Sequence, residues 1–119
     1  MSLRKWALLF GVLFILAGIA GFMPMFTPNG KLLGIFQVDP MHNWIHLVSG
    51  IVALLAMSKR AFAKLYFIVF GIIYGLVAIS GFVYPEHMMM MQMNMADHLL
   101  HIVIAVVALY VGFTAKASA

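Results

Sequence analysis

The residues best suited to chemistry in this chain are its five histidines and eleven methionines, most of which gather in two short regions. His42 and His46 are four residues apart, and His98 and His101 are three apart, spacings that bring side chains together on one face of a helix. Imidazole nitrogens bind zinc and copper, and thioether sulfurs favour Cu(I). The segment 86–101, EHMMMMQMNMADHLLH, is similar in composition to extracytoplasmic copper-handling proteins. The sequence therefore predicts a metal site, copper favoured, with candidate ligands His42, His46, His87, His98, His101, Met91 and Met95.

Two other interpretations of these histidines stay open. A b-type haem could take His46 and His101 as its axial ligands, with small residues such as Gly50 and Ala105 leaving space for the ring. Lys31 is the only cation on that side of the chain for the haem propionates. Alternatively, the protein binds no cofactor and has a structural role. Its His, Asn and Asp side chains, with Asn43 and Asp97 holding the imidazoles, would then be interhelical hydrogen-bond partners.

The composition of the chain predicts the secondary structure that positions these histidines and methionines. Of the 119 residues, 66% are hydrophobic and 8% charged, and the mean hydropathy is +1.11. So small a chain cannot bury this much apolar surface in water, which excludes a soluble domain. Apolar runs predict helices at about 6–23, 40–58, 61–84 and 95–114, each near the length that crosses a bilayer. We expect one all-α domain over 1–119, a four-transmembrane-helix bundle.

Charge placement predicts the orientation of this bundle. Six of the seven basic residues fall at the same side of the predicted helices, and the positive-inside rule makes that side cytoplasmic. Both termini are therefore expected inside, and both long loops, with the histidines, outside. The six residues are Arg4, Lys5, Lys59, Arg60, Lys64 and Lys116.

An internal repeat relates the two halves of the chain. A shift of 60 residues aligns helix 1 with helix 3, for example Gly11 with Gly71, and a shift of 55 aligns His46 with His101. The pattern predicts two parallel helix-pair repeats around a pseudo-twofold axis. If helix 4 extends outward into the preceding loop, it carries one polar stripe. That stripe comprises His87, Met91, Asn94, His98 and His101.

Several function classes lack their sequence features. The chain has no cysteine, which removes thiolate chemistry, and shows no phosphate-binding loop, nucleophile elbow or paired glycosidase carboxylates. We therefore expect no enzyme, and no nucleic-acid binding because the few basic residues flank the membrane. The expected partners are the lipid bilayer and a metal ion. The Gly71 to Gly75 spacing is compatible with a homo-oligomer and equally with close packing of helices within one chain.

Two short motifs carry a family resemblance. The pattern His42-Asn43-x-x-His46-x-x-x-Gly50 and the pattern Asp97-x-x-Leu100-His101 resemble a family of small bacterial four-helix membrane proteins known only as a domain of unknown function. The likeness spans nearly the whole chain and implies the bundle fold and a bacterial inner-membrane location, without an activity. The resemblance implies that Asn43, His46, Asp97 and His101 are the residues that match the motifs of this family. The Met-rich run looks like an addition of this protein, and Ala105 stands where a glycine would complete the second motif.

Overall fold

The computed structural model describes residues 2–83 and 93–115, which form an all-α bundle with one small hairpin. The four helices lie within three residues of the predicted bounds. They are α1 (Leu3–Phe22), α2 (Pro40–Ala56), α3 (Arg60–Val83) and α4 (Met95–Thr114). Two short 3-10 turns, Pro24–Phe26 and Pro28–Gly30, follow α1 and lead into strands β1 (Lys31–Leu32) and β2 (Phe36–Gln37).

Polar side chains cap the start of three helices. Ser2 accepts a hydrogen bond from the backbone N–H of Lys5, and Asp39 accepts one from His42. Asn94 and Asp97 form a reciprocal capping box at the start of α4. These caps satisfy backbone donors that a helix terminus leaves unpaired. They therefore fix where α2 and α4 begin, close to the histidines.

The sequence-based prediction that helix 4 extends outward into the preceding loop is wrong for the residues that the structure describes, because α4 begins at Met95. Asn94 has an extended backbone conformation (φ −108°, ψ −179°) and caps α4 instead of lying within it. The capping box is the physical reason, because the Asn94 side chain bonds the backbone N–H of Asp97 from a non-helical position. His87 and Met91, the outer members of that stripe, lie outside the described residues.

The hairpin of β1 and β2 was not predicted from the sequence. Lys31 pairs with Gln37 and Leu32 with Phe36 in an antiparallel arrangement. Leu33 and Gly34 form the tight turn with positive φ angles of 55° and 74°. The usual Asn-Gly signal of such a turn is absent here, which is why the sequence did not reveal it.

The bundle is built from two helix pairs, since α1 packs mainly on α2 and α3 mainly on α4. Glycines allow close approach in the first pair, where a Cβ on Gly50 would collide with the backbone of Gly11 and Ile15. Aromatic and small residues fill the core at the end of the bundle where α1 and α3 begin. We call this the basic end, and the opposite end, which holds the hairpin, the hairpin end.

Each helix pair contains a similar contact, and the residues that make it are separated by the 60- and 55-residue shifts found in the sequence. The Arg4 guanidinium donates to the carbonyl of Met57, and the Lys64 ammonium donates to the carbonyl of Gly112. Arg4 and Lys64 are 60 residues apart, and the two carbonyls 55 apart. The N-caps Asp39 and Asn94 are also separated by 55. The two helix pairs thus make these contacts at sequence offsets of 60 and 55 residues.

The outer surface of the bundle is apolar. Large side chains such as Leu55 and Phe113 are 69% and 65% exposed, which water would disfavour and lipid would not. Three helices, α1, α3 and α4, are long and apolar enough to cross a membrane. α2 is also apolar but has 17 residues, about 26 Å of helix, and is shorter than the predicted span. These features indicate a membrane protein.

Candidate metal centre

Three histidines meet inside the bundle near the hairpin end. His42 and His46 come from the first two turns of α2, and His101 comes from the second turn of α4. One ligand nitrogen of each lies within 4.8 Å of the other two, and all three residues are buried. The ring centroids are 4.4 Å apart for His42 and His46, and 6.5 Å apart for His46 and His101. The structure thus brings together three of the predicted ligands.

The imidazoles make ring contacts between α2 and α4. The two helices make little backbone contact with each other. His46 faces His101 across the centre of the bundle, and the ring of Phe14 from α1 lies 5.6 Å from His46. Tyr74 from α3 lies 5.5 Å from His101. The cluster is therefore enclosed by side chains from all four helices.

His42 is oriented by the hairpin. Its Nδ1 lies 3.2 Å from the main-chain carbonyl of Gln37. A carbonyl can only accept, so Nδ1 carries the hydrogen and donates it, which leaves the lone pair on Nε2. That Nε2 is buried and has no hydrogen-bond partner within residues 2–83 and 93–115. A hydrogen bond of this kind on the far nitrogen is the usual support of a metal-binding imidazole.

His46 and His101 also present unpaired nitrogens. Both ring nitrogens of His46 and Nδ1 of His101 are buried and lack a hydrogen-bond partner among the described residues. Buried polar atoms are nearly always satisfied, so several unpaired nitrogens in one cluster call for an explanation. A bound ion is one of the recognised explanations.

Asn43 and Asp97 do not hold these imidazoles in the part of the chain that the structure covers. Asn43 packs against Gly21, and its Oδ1 is itself unpaired. The carboxylate of Asp97 accepts from the backbone N–H of Asn94 and from that of Gln37. The interpretation without a cofactor predicted that Asn43 and Asp97 hydrogen-bond to the imidazoles. No such bond to His46 is observed among the described residues.

Asp97 instead fixes the hairpin to α4. It is 1% exposed, and it binds the N–H of the same residue, Gln37, whose carbonyl accepts from His42. The Asn94 side-chain amide donates to the carbonyl of Ile35 at 2.9 Å. Gln37 thus connects a buried carboxylate on α4 to an imidazole on α2.

His98 lies outside the three-histidine cluster. Its ring packs over Gly81, where a Cβ would collide with the imidazole, and its centroid is 5.6 Å from the ring of Phe82. Its Nδ1 is buried and has no hydrogen-bond partner in the part of the chain that the structure describes. The structure therefore places His98 against α3, although it stands only three residues before His101.

The predicted methionine ligands are not shown at the cluster. Met95 is 56% exposed on the surface of α4, whereas Met93 is buried. His87 and Met91 lie outside the described residues, as does most of the Met-rich run. The donor set that the structure does bring together consists of three imidazole nitrogens.

A haem does not fit this arrangement. A porphyrin bound by His46 and His101 would occupy the space around the line that joins their rings. The ring centroid of His42 lies in that space, 4.4 Å from the centroid of His46 and 5.6 Å from that of His101. The imidazole of His42 thus occupies the space that the porphyrin ring would need. For a single metal ion, the same imidazole is a third nitrogen ligand.

Sequence reasoning missed three hydroxyl groups between α2 and α3, of which Tyr74 contacts the cluster through His101. Ser49 Oγ and Tyr74 Oη are 3.0 Å apart, and Tyr66 Oη donates to the main-chain carbonyl of Ser49. All three residues are buried between α2 and α3. The signal in the sequence was the eight-residue spacing of Tyr66 and Tyr74, which places both on one face of a helix.

The geometry allows one transition-metal ion. A tetrahedral or trigonal site with metal–nitrogen bonds of about 2.0–2.1 Å needs nitrogens roughly 3.5 Å apart. The observed separations, at most 4.8 Å, require an inward shift of about 1 Å that side-chain rotation can supply. Three protein nitrogens leave a fourth position open.

The chain matches a known protein family over nearly its whole length. A family model described as "Domain of unknown function (DUF4383)" matches residues 4–114, nearly the full chain. No curated protein and no solved structure matches the chain.

Proposed function

The chain belongs to the DUF4383 family, a domain of unknown function, and we propose that it binds one transition-metal ion within its membrane bundle. The ligands are His42, His46 and His101. The observation that carries the proposal is the convergence of these three buried imidazoles, whose ligand nitrogens lie within 4.8 Å of one another.

The first support for this proposal is that ring nitrogens of the three histidines are buried without hydrogen-bond partners among the described residues. Among the described residues, no hydrogen-bond partner is found for Nε2 of His42, both ring nitrogens of His46 and Nδ1 of His101. Leaving buried polar atoms unpaired costs about 1–3 kcal/mol each. Coordination of an ion would satisfy one nitrogen on each ring, so it converts an unfavourable cluster into a stabilising one.

The hydrogen bond of His42 to the hairpin is the second support. The Gln37 carbonyl holds Nδ1–H and directs the lone pair of Nε2 inward. Since Asp97 in turn anchors Gln37, α4 contributes one ligand directly and helps to position another. The hairpin is then a structural part of the metal centre.

Copper is the ion that we favour. Imidazole ligands suit both copper and zinc, so the three histidines do not separate the two. The preference comes from the sequence, because four consecutive methionines at 88–91 follow His87 closely and precede α4. Thioether sulfurs near the centre would select Cu(I) over zinc.

We place the protein in a bacterial inner membrane with the metal centre toward the outer face. Arg4, Lys5, Lys59, Arg60 and Lys64 lie at the basic end, opposite to the histidines. By the positive-inside rule the basic end faces the cytoplasm. The site acts in binding, and we assign it no catalytic activity.

Equilibrium dialysis of the untagged protein tests this proposal. We expect about one ion per chain after dialysis against Cu(I) under reducing conditions, and weaker retention of Zn²⁺. His46→Gln should abolish retention, because it removes one of the three ligands and leaves only two imidazoles. His98→Gln is the matched control, since it replaces a buried imidazole outside the cluster and should leave the stoichiometry unchanged.

Two outcomes contradict the proposal. The first is a folded wild-type protein that retains neither Cu(I) nor Zn²⁺, which would leave a structural role for the histidines. The second is equal loss of metal in His46→Gln and His98→Gln while both keep the wild-type melting temperature.

A further inference from the structure

The three-histidine cluster has no carboxylate ligand among the described residues. The chain has three acidic residues, of which Glu86 lies outside the described part. Asp39 accepts from the backbone N–H of His42 and caps α2. Asp97 accepts from the backbone N–H of Gln37 in the hairpin. Because histidine binds a metal in its neutral form, the ligand set found in this part of the chain carries no charge.

Two aromatic rings, one from α1 and one from α3, lie against this uncharged cluster. The ring centroid of Phe14 is 5.6 Å from that of His46, and the centroid of Tyr74 is 5.5 Å from that of His101. The two rings also stack on each other, with their centroids 5.5 Å apart and their planes 23° apart. Both residues are buried. The stacked pair therefore forms an apolar wall beside two of the three imidazoles.

The grooves that border the cluster are apolar as well. One groove, between α2 and α3, is lined by the three histidines and by apolar residues, except for Ser49 and Tyr74, whose hydroxyls bond each other. A second groove, between α1 and α4, is lined by His46 and otherwise only by apolar residues. A water molecule needs two to four polar partners to be held at a buried site, and these walls supply few. The cluster thus lies in surroundings of low polarity.

The charge of an ion decides how well it suits such surroundings. The free energy needed to move an ion out of water rises with the square of its charge, so a divalent ion costs about four times as much as a monovalent ion of equal size. Zinc sites with two histidines and one glutamate offset this cost with a carboxylate, and zinc sites with three histidines take a fourth ligand from water. Cu(I) is monovalent and is stable with three ligands. A neutral cluster in apolar surroundings therefore favours Cu(I) over Zn²⁺.

We propose that the three-histidine cluster selects monovalent ions, Cu(I) in particular, and that Phe14 and Tyr74 set this selectivity. Their rings keep water from the fourth coordination position, and the described residues supply no carboxylate ligand to offset a second positive charge. The selectivity rests on the proposed function, since it concerns the ion at the same centre. It does not depend on the methionine-rich run, because the charge and the surroundings of the cluster are sufficient to produce it.

Two pairs of ions test the selectivity in the purified, untagged protein. Cu(I) and Zn²⁺ have the same number of electrons, as do Ag(I) and Cd²⁺, so the members of each pair differ mainly in charge. Competition with chelators of known affinity gives the four dissociation constants, and a soluble peptide with three exposed histidines is the reference. For both pairs, the preference for the monovalent ion should be at least about 100-fold larger in the protein than in the peptide.

Substitutions in the aromatic wall test which residues set this preference. Phe14→Gln places an amide beside His46 that can hold a water molecule, so the preference for the monovalent ion should fall about tenfold. Phe14→Leu and Tyr74→Phe keep the wall apolar and should change it less than about threefold. Phe10→Gln is the matched control, because it makes the same change one helical turn away, on a ring that packs against Phe14. It should lower stability and leave the preference unchanged.

The outcomes separate the ion selectivity from metal binding itself. A preference for the monovalent ions that is no larger in the protein than in the peptide would overturn the selectivity and leave the metal centre intact. This comparison uses the wild-type protein, so it does not depend on the folding of any variant. Equal effects of Phe14→Gln and Phe10→Gln would overturn the role of Phe14. Retention of none of the four ions by the folded protein would overturn both proposals.

Discussion

The imidazole of His42 donates a hydrogen bond from Nδ1 to the main-chain carbonyl of Gln37, 3.2 Å away. The N–H of Gln37 bonds the buried carboxylate of Asp97. A residue of the hairpin thus lies between a carboxylate on α4 and an imidazole on α2, two helices with little backbone contact. The orientation of the His42 lone pair therefore depends on Asp97.

Asp97→Asn tests this dependence. The change removes the negative charge that holds Gln37, so His42 should lose its fixed orientation and the metal affinity should fall about tenfold. Tyr66→Phe is the control, because it removes a buried hydrogen bond farther from the cluster and should lower stability without changing the affinity. Unchanged metal affinity in Asp97→Asn would show that the hairpin does not position His42.

A second prediction concerns the close packing of α1 on α2. Gly50→Ala should destabilise the bundle by about 1–3 kcal/mol, since the added Cβ meets the backbone of Gly11 and Ile15. Gly75→Ala is the matched control, because its Cβ would make only an ordinary contact with Ala105, and the better helix propensity should be neutral or stabilising by up to about 1 kcal/mol. Reversible unfolding in detergent measures both. A Gly50→Ala variant as stable as the wild type would contradict the packing argument.

A third prediction concerns orientation in the membrane. With Arg4, Lys5, Lys59, Arg60 and Lys64 at the basic end, both termini should be cytoplasmic. Alkaline phosphatase fused after Ala119 should be inactive, and a fluorescent protein at the same position should be bright. An active phosphatase would reverse the topology and put the histidines on the cytoplasmic side.

The helices and part of the site could be predicted from the sequence. Apolar length located the four helices, and the four-residue spacing of His42 and His46 placed both on one face. His98 shows the limit of such reasoning. Residues three apart on a helix differ by about 60° in direction, enough for His101 to face α2 while His98 faces α3.

Long-range contacts account for most of what the sequence did not reveal. The pairing of Ser49 with Tyr74 joins residues 25 positions apart on different helices, and no local pattern specifies it. The hairpin turn at Leu33 and Gly34 lacks a recognisable signal, so the support that Gln37 gives to His42 was missed as well. The first depends on tertiary packing and the second on a local turn, and neither follows from periodicity.

X-ray absorption at the metal edge of the loaded protein tests the central claim most directly. The account predicts three nitrogen ligands at about 2.0–2.1 Å with the multiple scattering typical of imidazole. His42→Gln, His46→Gln and His101→Gln should each reduce that scattering or abolish binding, and His98→Gln should not. A first shell without imidazole, or one that His98→Gln changes and His46→Gln leaves intact, would contradict a metal centre built by His42, His46 and His101.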